Sequence, residues 1–316
     1  MIRADDLTKR YGAQTVLDGL DLEIERGERV AVLGVNGAGK TTLFRCLLGL
    51  TDFEGELTVD GAAAGPESRE VRSRIGYVPQ LPPIYDTTLE GFLELFAGLR
   101  DVDVQIAEAR LEELGLPIEE TAGKSMSELS GGMLQKAYLA MALAAETPVL
   151  LLDEPTASLD PGSRREFVRL LKQIDRRMTM VLASHRLEEI EPLADRLVVL
   201  HRGAIAFDGT LPQLWERAGL EQALWIGSPP SRRDDLLAIL RDHPAVRAVH
   251  PNGVGVRIEA PGDAHLDVLH DVRTRGVPVP EFHTRPPALE DVLDHLVSAD
   301  GSAAGAGAAE RVEGDR

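Results

Sequence analysis

The fold is decided by residues 30–42, which read VAVLGVNGAGKTT. Residues 30–33 are an unbroken apolar run typical of a buried strand, and a glycine-rich loop follows at once. Glycines let backbone N–H groups turn inward around phosphate oxygens at the positive end of a helix. The order of strand, loop and helix therefore predicts a nucleotide-phosphate site, with Lys40 on the terminal phosphates and the Thr41 hydroxyl on Mg²⁺. The residues expected at the phosphates are Gly34, Asn36, Gly37, Ala38, Gly39, Lys40, Thr41 and Thr42.

A second apolar run, residues 149–152, ends in the carboxylates Asp153 and Glu154. A carboxylate at the end of a strand beside a phosphate loop is placed to hold Mg²⁺ through water, and we assign that role to Asp153. Glu154 points in a different direction, where it could orient the attacking water or accept its proton. A general base of this kind typically contributes about 10²- to 10⁴-fold in rate.

A third motif, LSGGM at residues 129–133, opens a helical pattern that runs to residue 145. Ser130, Gly131 and Gly132 at a helix N-terminus present free N–H groups and the positive end of the helix dipole, which suits an anion. Taken alone, these residues are better explained as a serine N-cap before a flexible glycine pair. The other motifs decide between the two interpretations.

In their order, these and the remaining motifs resemble the ATP-binding subunits of ABC transporters, whose signature reads Leu-Ser-Gly-Gly-Gln. Tyr11 and Val16 match the family's adenine contacts, and Gln80 matches the glutamine that senses Mg²⁺ and the γ-phosphate. Asp160, in a Ser-Leu-Asp-Pro segment, matches the D-loop at the dimer interface, and His185 matches the switch histidine on the γ-phosphate. Singly, each has a simpler explanation, such as a helix N-cap for Asp160.

The resemblance implies an α/β P-loop NTPase fold of the ABC type with an inserted helical subdomain. It implies an ATPase with ATP and Mg²⁺ as cofactors, the metal held by Thr41, Gln80 and Asp153. Glu154, His185 and Gln80 are then the catalytic residues. Two such subunits, a homodimer or a pair of related chains, face each other head to tail, so that each signature acts in trans on the opposite phosphate loop. A separate membrane permease completes the transporter, which places this chain in the cytoplasm on the inner face of the membrane.

One position departs from the family signature, because Met133 stands where glutamine is usual. Ser130 and the two glycines are intact, so the phosphate contact is expected to survive. The change puts in doubt any contribution of that glutamine near the ribose and to the rate of hydrolysis. Gln135 follows two residues later.

The pattern along the chain predicts three regions. An ABC ATPase domain covers residues 1–210, with a helical subdomain at about 81–145. Residues 220–297 alternate strand and helix as a small α+β domain of ferredoxin-like type, with a hairpin turn at Pro251-Asn252-Gly253. Its last strand is predicted at residues 277–282, and a helix follows within 288–297. Residues 298–316 lack any periodic pattern and predict a disordered tail. The phrase ALEDVL at 288–293 resembles the ending of a bacterial subgroup with drug exporters and copper-processing-like subunits, which favours export.

Composition further narrows the functional classes to which this protein could belong. The chain has 316 residues, 34 basic and 52 acidic side chains, and a net charge of -18, a balance that argues against nucleic acid as a partner. Its apolar runs are shorter than the roughly 20 residues that cross a bilayer, so we expect no membrane span. A soluble ABC ATPase with a non-transport role is the alternative. Such ATPases usually carry two cassettes or a long coiled-coil insertion, whereas only about 50 residues separate Gln80 from the signature.

Residues 86–120 contain ten acidic and two basic side chains. In the family this helical subdomain receives a helix of the membrane subunit, and basic cytoplasmic loops would complement the acids. A solvated acidic face that serves solubility explains the same cluster equally well.

Overall fold

A computed structural model describes residues 1–121, 123–218, 223–252, 255–285 and 292. The predicted tail, and the predicted helix at 288–297 apart from Val292, lie outside the described residues. The chain divides into two compact units, Met1–Leu211 and Pro212–Arg316.

The first unit alternates strands and helices, as the sequence predicts. Its elements are β1 (Ile2–Tyr11), β2 (Gln14–Ile24), β3 (Arg29–Leu33), α1 (Lys40–Leu47), β4 (Glu54–Val59), β5 (Ala62–Ala63), α2 (Arg69–Ser73), β6 (Ile75–Val78), α3 (Leu89–Arg100), α4 (Val104–Glu113), α5 (Ile118–Thr121), α6 (Gly131–Ala144), β7 (Val149–Asp153), α7 (Pro161–Gln173), β8 (Thr179–Ser184), α8 (Leu187–Ile190), β9 (Arg196–His201) and β10 (Ala204–Gly209).

Two sheets build this unit. The larger has the strand order β10-β9-β3-β8-β7-β6, in which the five strands from β9 to β6 are parallel and β10 pairs antiparallel with β9. Every residue of β3, β7 and β8 is buried. Alternate residues of these strands share one hydrophobic cluster with α1 and with the strands β1, β2 and β4. The smaller sheet, β2-β1-β4-β5, is antiparallel. Buried and exposed residues alternate from Leu20 to Ile24 of β2, as expected for a half-exposed strand.

The predicted helical subdomain lies between β6 and β7 and consists of α3 to α6. Asp101 ends α3 in the left-handed conformation, with φ of 55°. The apolar pattern of the next helix, α7, predicts a continuation through Ile174 to Met178, but α7 ends at Gln173 and Ile174 is extended. The Asp175 carboxylate accepts a hydrogen bond from the Arg177 N–H at 2.9 Å, a local turn that competes with helix.

The second unit begins within α9 (Leu211–Ala218) and continues as β11 (Ala223–Gly227), α10 (Arg233–Asp242), β12 (Ala248–Asn252), β13 (Gly255–Glu259), α11 (His265–Thr274) and β14 (Phe282–Arg285). Its antiparallel sheet has the order β12-β13-β11-β14, the arrangement of a ferredoxin-like βαββαβ fold. The tip of the predicted hairpin turn, residues 253 and 254, lies outside the described residues. The predicted last strand at 277–282 starts only at Phe282, because Pro278 and Pro280 cannot donate to a sheet ladder.

Candidate nucleotide site

The predicted site residues follow four neighbouring strands of the large sheet. The strands β3, β8, β7 and β6 run parallel and side by side, so their carboxyl ends meet at one edge. The glycine-rich loop follows β3, His185 follows β8, Asp153 and Glu154 end β7, and Gln80 comes two residues after β6. In an open α/β sheet this edge is where ligands bind.

The loop between β3 and α1 adopts a conformation that requires glycine. Gly37 and Gly39 have φ angles of 84° and 110°, which residues with a side chain rarely adopt. A Cβ atom on Gly39 would lie 2.7 Å from Leu17 Cδ2, and one on Gly34 would lie 2.7 Å from the Leu200 carbonyl oxygen. The predicted phosphate loop is therefore packed closely between β2 and β9. The loop continues directly into α1, which begins at Lys40.

At the centre of the site, the Glu154 carboxylate bridges two predicted phosphate contacts. Lys40 Nζ lies 3.1 Å from Glu154 Oε1, and both side chains are less than a tenth exposed. The other carboxylate oxygen, Oε2, lies 2.9 Å from Nδ1 of His185. Lys40 Nζ also donates to the Gly34 carbonyl oxygen at 2.6 Å. The loop lysine, the acid and the histidine thus form one connected cluster.

Asp153 lies beside this cluster with Thr41 as its neighbour. The Thr41 hydroxyl and Asp153 Oδ1 are 3.5 Å apart. Burial raises the pKa of the Asp153 carboxyl, and the negative charge of Glu154 adds to the effect, whereas the hydrogen bond from Thr41 opposes it. Tyr77 on the adjacent strand β6 has a smaller influence, which lowers the pKa of Asp153. Tyr77 was not predicted, since only the pairing of β6 with β7 brings it there.

Three predicted residues, Tyr11, Val16 and Gln80, are not part of this cluster of side chains. Tyr11 is 44% exposed, and the Lys9 ammonium lies 4.7 Å from the centre of its ring. The carbonyl oxygen of Val16 would be 3.0 Å from a Cβ on Gly39, so Val16 borders the phosphate loop. The Gln80 side chain is exposed. Across the described ranges, no hydrogen bond, ion pair or ring contact joins Tyr11 or the Gln80 side chain to Lys40 or Asp153.

Comparison with known proteins decides the family. Residues 17–157 match the family described as ABC transporter. The daunorubicin resistance ATP-binding protein of Streptomyces coeruleorubidus is 35% identical, over 95% of this chain and 96% of that protein. The Nod factor export ATP-binding protein I of Rhizobium meliloti (strain 1021) is 36% identical, over 92% of this chain and 86% of that protein. The chain belongs to the ABC transporter ATP-binding proteins.

Solved structures agree with this assignment and confirm the predicted fold class. The structure of an ATP-binding subunit of an ABC transporter is 29% identical with a TM-score of 0.62, over 69% of this chain and 93% of that one. A dimeric ATP-binding cassette in a post-hydrolysis state, bound to ADP and Pi, is 26% identical with a TM-score of 0.60, over 67% of this chain and 99% of that one. The chain is therefore an ATP-binding ATPase that powers transport. Such subunits work as dimers with membrane permeases. Within the described ranges of this chain, no helical segment has the length and hydrophobicity of a membrane span.

In this ABC ATPase the signature segment starts α6 and lies against the D-loop. The Ser130 hydroxyl caps α6 by accepting a hydrogen bond from the Met133 N–H at 3.3 Å. A Cβ on Gly131 would be 3.7 Å from the Ser158 carbonyl oxygen. Asp160 caps α7 by accepting hydrogen bonds from the N–H groups of the next turn, and the Ser163 hydroxyl is the main cause of its lowered pKa. Within one chain, Ser130 and Asp160 therefore both act as helix N-caps, which is the simpler interpretation of each residue.

Gln135 does not take the place of the missing signature glutamine. Its side chain is fully buried, and Nε2 donates to the carbonyl oxygens of Pro79 and Gln80, each at 3.2 Å. It therefore ties the signature helix α6 to the loop that carries Gln80. A helical pattern alone places Gln135 near the start of α6 but does not reveal this partner.

Proposed function

We propose that this chain hydrolyses ATP in a head-to-tail dimer and thereby powers export through a separate permease. The observation that carries the proposal is the cluster in which Glu154 contacts both Lys40 and His185. It provides a cation for the terminal phosphates, a carboxylate for the attacking water and a second group at the γ-phosphate. Phosphate release by the purified chain with MgATP tests it, and a chain that binds ATP without releasing phosphate would contradict it.

The remaining roles follow from where each residue lies. The N–H groups of Gly34, Asn36, Gly37, Ala38, Gly39 and the start of α1, including Thr42, surround the phosphates, and Tyr11 with Val16 contacts the adenine. Hydroxyl and carboxylate oxygens are the ligands Mg²⁺ prefers, and Thr41 and Asp153 present both at one point. These two residues and Gln80 would hold the metal, which neutralises phosphate charge when bound. Glu154 then accepts the proton of the attacking water, and His185 orients that carboxylate.

Two inactive variants test whether Ser130, Gly131 and Gly132 act across the dimer. Lys40→Ala removes the phosphate cation, and Ser130→Ala removes the hydroxyl of the signature. If sites are composite, a mixed dimer has one site with both defects and one site with neither. Mixing the two proteins should then raise ATP hydrolysis well above the rate of either alone. A rate equal to the average of the two would show that each chain works with its own signature.

We place the permease on the helical subdomain. An apolar groove of about 360 Å³ there is lined by Tyr85, Phe92, Leu95, Phe96 and Leu99, among others. The leucines at positions 95 and 99 are 52% and 76% exposed, which is unusual for apolar side chains in one groove. Both leucines belong to the acidic segment 86–120, which suits a partner helix with an apolar face and basic ends. This docking holds the chain at the inner face of the membrane.

A matched pair of variants tests the docking surface. Leu99→Glu places a charge in the groove, whereas Leu266→Glu changes an equally exposed leucine of the second unit. We expect Leu99→Glu, but not Leu266→Glu, to abolish co-purification of an integral membrane protein from detergent-solubilised membranes. Loss of the membrane protein with both variants, or with neither, would remove the groove as the docking site.

The export direction rests on the relatives named for daunorubicin resistance and Nod factor export and on the ALEDVL ending. Inside-out membrane vesicles that contain the chain and the co-purifying permease should take up daunorubicin, used as a probe, when ATP is added outside. Vesicles with Glu154→Gln should not. ATP-driven loss of preloaded probe from inside-out vesicles would indicate import instead.

A further inference from the structure

One buried carboxylate in the first unit has no role in the proposed chemistry. Glu189 lies in the four-residue helix α8, and only 8% of its side chain is exposed. Among the buried ionisable side chains of the described residues, Lys40, Asp153 and Glu154 belong to the nucleotide site, whereas Glu189 is separate from it. A buried carboxylate is costly unless it is paired, so its partners indicate what it holds in place.

The partners of Glu189 come from three different segments. Its Oε2 accepts a hydrogen bond from the hydroxyl of Thr156. Its Oε1 lies 3.1 Å from Arg164 Nε and accepts a hydrogen bond from the Arg186 guanidinium at 3.3 Å. Arg164 in turn donates to the carbonyl oxygen of Leu159 at 3.0 Å.

Each of these segments carries a residue of the proposed site. Thr156 is two residues after Glu154, whose φ of 43° is an uncommon backbone angle for a non-glycine residue. Arg186 directly follows His185. The Leu159 carbonyl lies in the D-loop, one residue before Asp160. A single carboxylate thus joins the turn after Glu154 to the residue that follows His185 and, through Arg164, to the D-loop.

We infer that Glu189 is a positioning residue, which holds Glu154 and His185 in the 2.9 Å contact and links them to the D-loop. The inference rests on the proposed catalytic roles of Glu154 and His185. Glu189 touches neither the phosphate loop nor Lys40 through any hydrogen bond or ion pair in the described part of the chain. Its loss should therefore slow hydrolysis without weakening ATP binding.

The test uses the full chain with Glu189→Gln, which keeps the shape of the side chain and removes its charge. We expect kcat for ATP hydrolysis to fall about tenfold or more, a part of the 10²- to 10⁴-fold that a positioned base contributes, with KM within twofold. Glu28→Gln is the matched control, since Glu28 pairs with Arg196 before β3, at the opposite end of the strand from the phosphate loop. It should leave both constants unchanged. An unchanged kcat in Glu189→Gln, or an equal loss in the control, would overturn the inference.

A double-mutant cycle separates positioning from a general loss of structure. If Glu189 acts through His185, adding Glu189→Gln to His185→Ala should slow hydrolysis by less than twofold. Equal factors in both backgrounds would refute positioning. A His185→Ala chain as fast as the wild type would refute the proposed role of His185 as well, whereas a slow His185→Ala beside a fast Glu189→Gln would refute only this inference. Should Glu189→Gln not fold, Thr156→Val removes one hydrogen bond and keeps both ion pairs, with an expected threefold loss in kcat.

Discussion

Replacement of Glu154 by glutamine should lower the stability of the nucleotide-free protein and raise its affinity for ATP. In the nucleotide-free chain Glu154 is the counter-ion of buried Lys40, 3.1 Å away. Phosphate groups must take Lys40 from this carboxylate when ATP binds. Glu154→Gln leaves the ammonium with a neutral acceptor only, so the protein without nucleotide loses an ion pair that the complex with ATP does not need.

The size of the effect follows from burial. Removal of one member of a buried ion pair costs about 3–5 kcal/mol, and glutamine retains a hydrogen-bond acceptor, so about 3 kcal/mol is expected. For a cooperative unit the size of Met1–Leu211 this lowers Tm by about 6–12 °C. Because the wild type gives up the pair on binding, the variant should bind nucleotide up to about 100-fold more tightly. Its hydrolysis rate should fall by about 10²- to 10⁴-fold.

Thermal unfolding without nucleotide and titration with a non-hydrolysable ATP analogue measure the first two quantities, and phosphate release measures the third. Glu28→Gln again serves as the control for loss of a partly buried carboxylate. An unchanged Tm together with an unchanged Kd would show that the contact between Lys40 and Glu154 does not form in solution. Hydrolysis within tenfold of the wild type would exclude Glu154 as the base.

Three further outcomes are expected. Gly39→Ala should reduce ATP affinity at least tenfold in a binding titration, because its Cβ would meet Leu17 at 2.7 Å. Gly61→Ala is the control, since Gly61 has a φ of 83° but no neighbour within 4 Å, and this variant should bind ATP normally. Met133→Gln should change hydrolysis by less than twofold, since the cap of α6 uses the backbone N–H, and a tenfold change would assign a role to the side chain. Burial raises the pKa of the Cys46 thiol to about 11, so it should resist iodoacetamide at pH 8 until urea unfolds the chain. The folded state keeps this proton longer than the unfolded state, so the free energy of unfolding should fall as the pH rises from the ordinary thiol pKa towards 11, and Cys46→Ala should make that slope smaller.

Sequence reasoning can place several proposed site residues near one another because their motifs follow strands. Lys40, Glu154 and His185 are far apart in the chain, yet each comes just after a buried apolar run, and the ends of parallel strands meet at one edge. The second unit has the predicted ferredoxin-like arrangement for a different reason, because its hydrophobic pattern identifies the order of strands and helices along the chain. Its last strand begins later than predicted, because Val277 and Val279, which alternate with two prolines, pack in the core without entering the sheet.

What the sequence does not predict are contacts of side chains that look ordinary in their own segment. Gln135 lies on α6 and Glu189 on the short helix α8, and a polar residue of a helix is normally on its solvated face. Both are buried, because their partners are backbone carbonyls or arginines of other segments. No periodicity identifies such partners, since they depend on which loops the sheet brings together.

The net charge of -18 also has a different meaning once the site is seen. A strongly acidic chain would repel ATP if its total charge acted at the site, but screening limits exposed charges to about 8–10 Å in physiological salt. The charge that ATP meets is local, a buried lysine that the protein's own carboxylate already neutralises. Binding is then an exchange of one anion for another on Lys40, and the exchange releases Glu154 from the lysine. If Glu154 serves the attacking water as we propose, this carboxylate is freed only when phosphate is present, which would couple nucleotide binding to the readiness of the base.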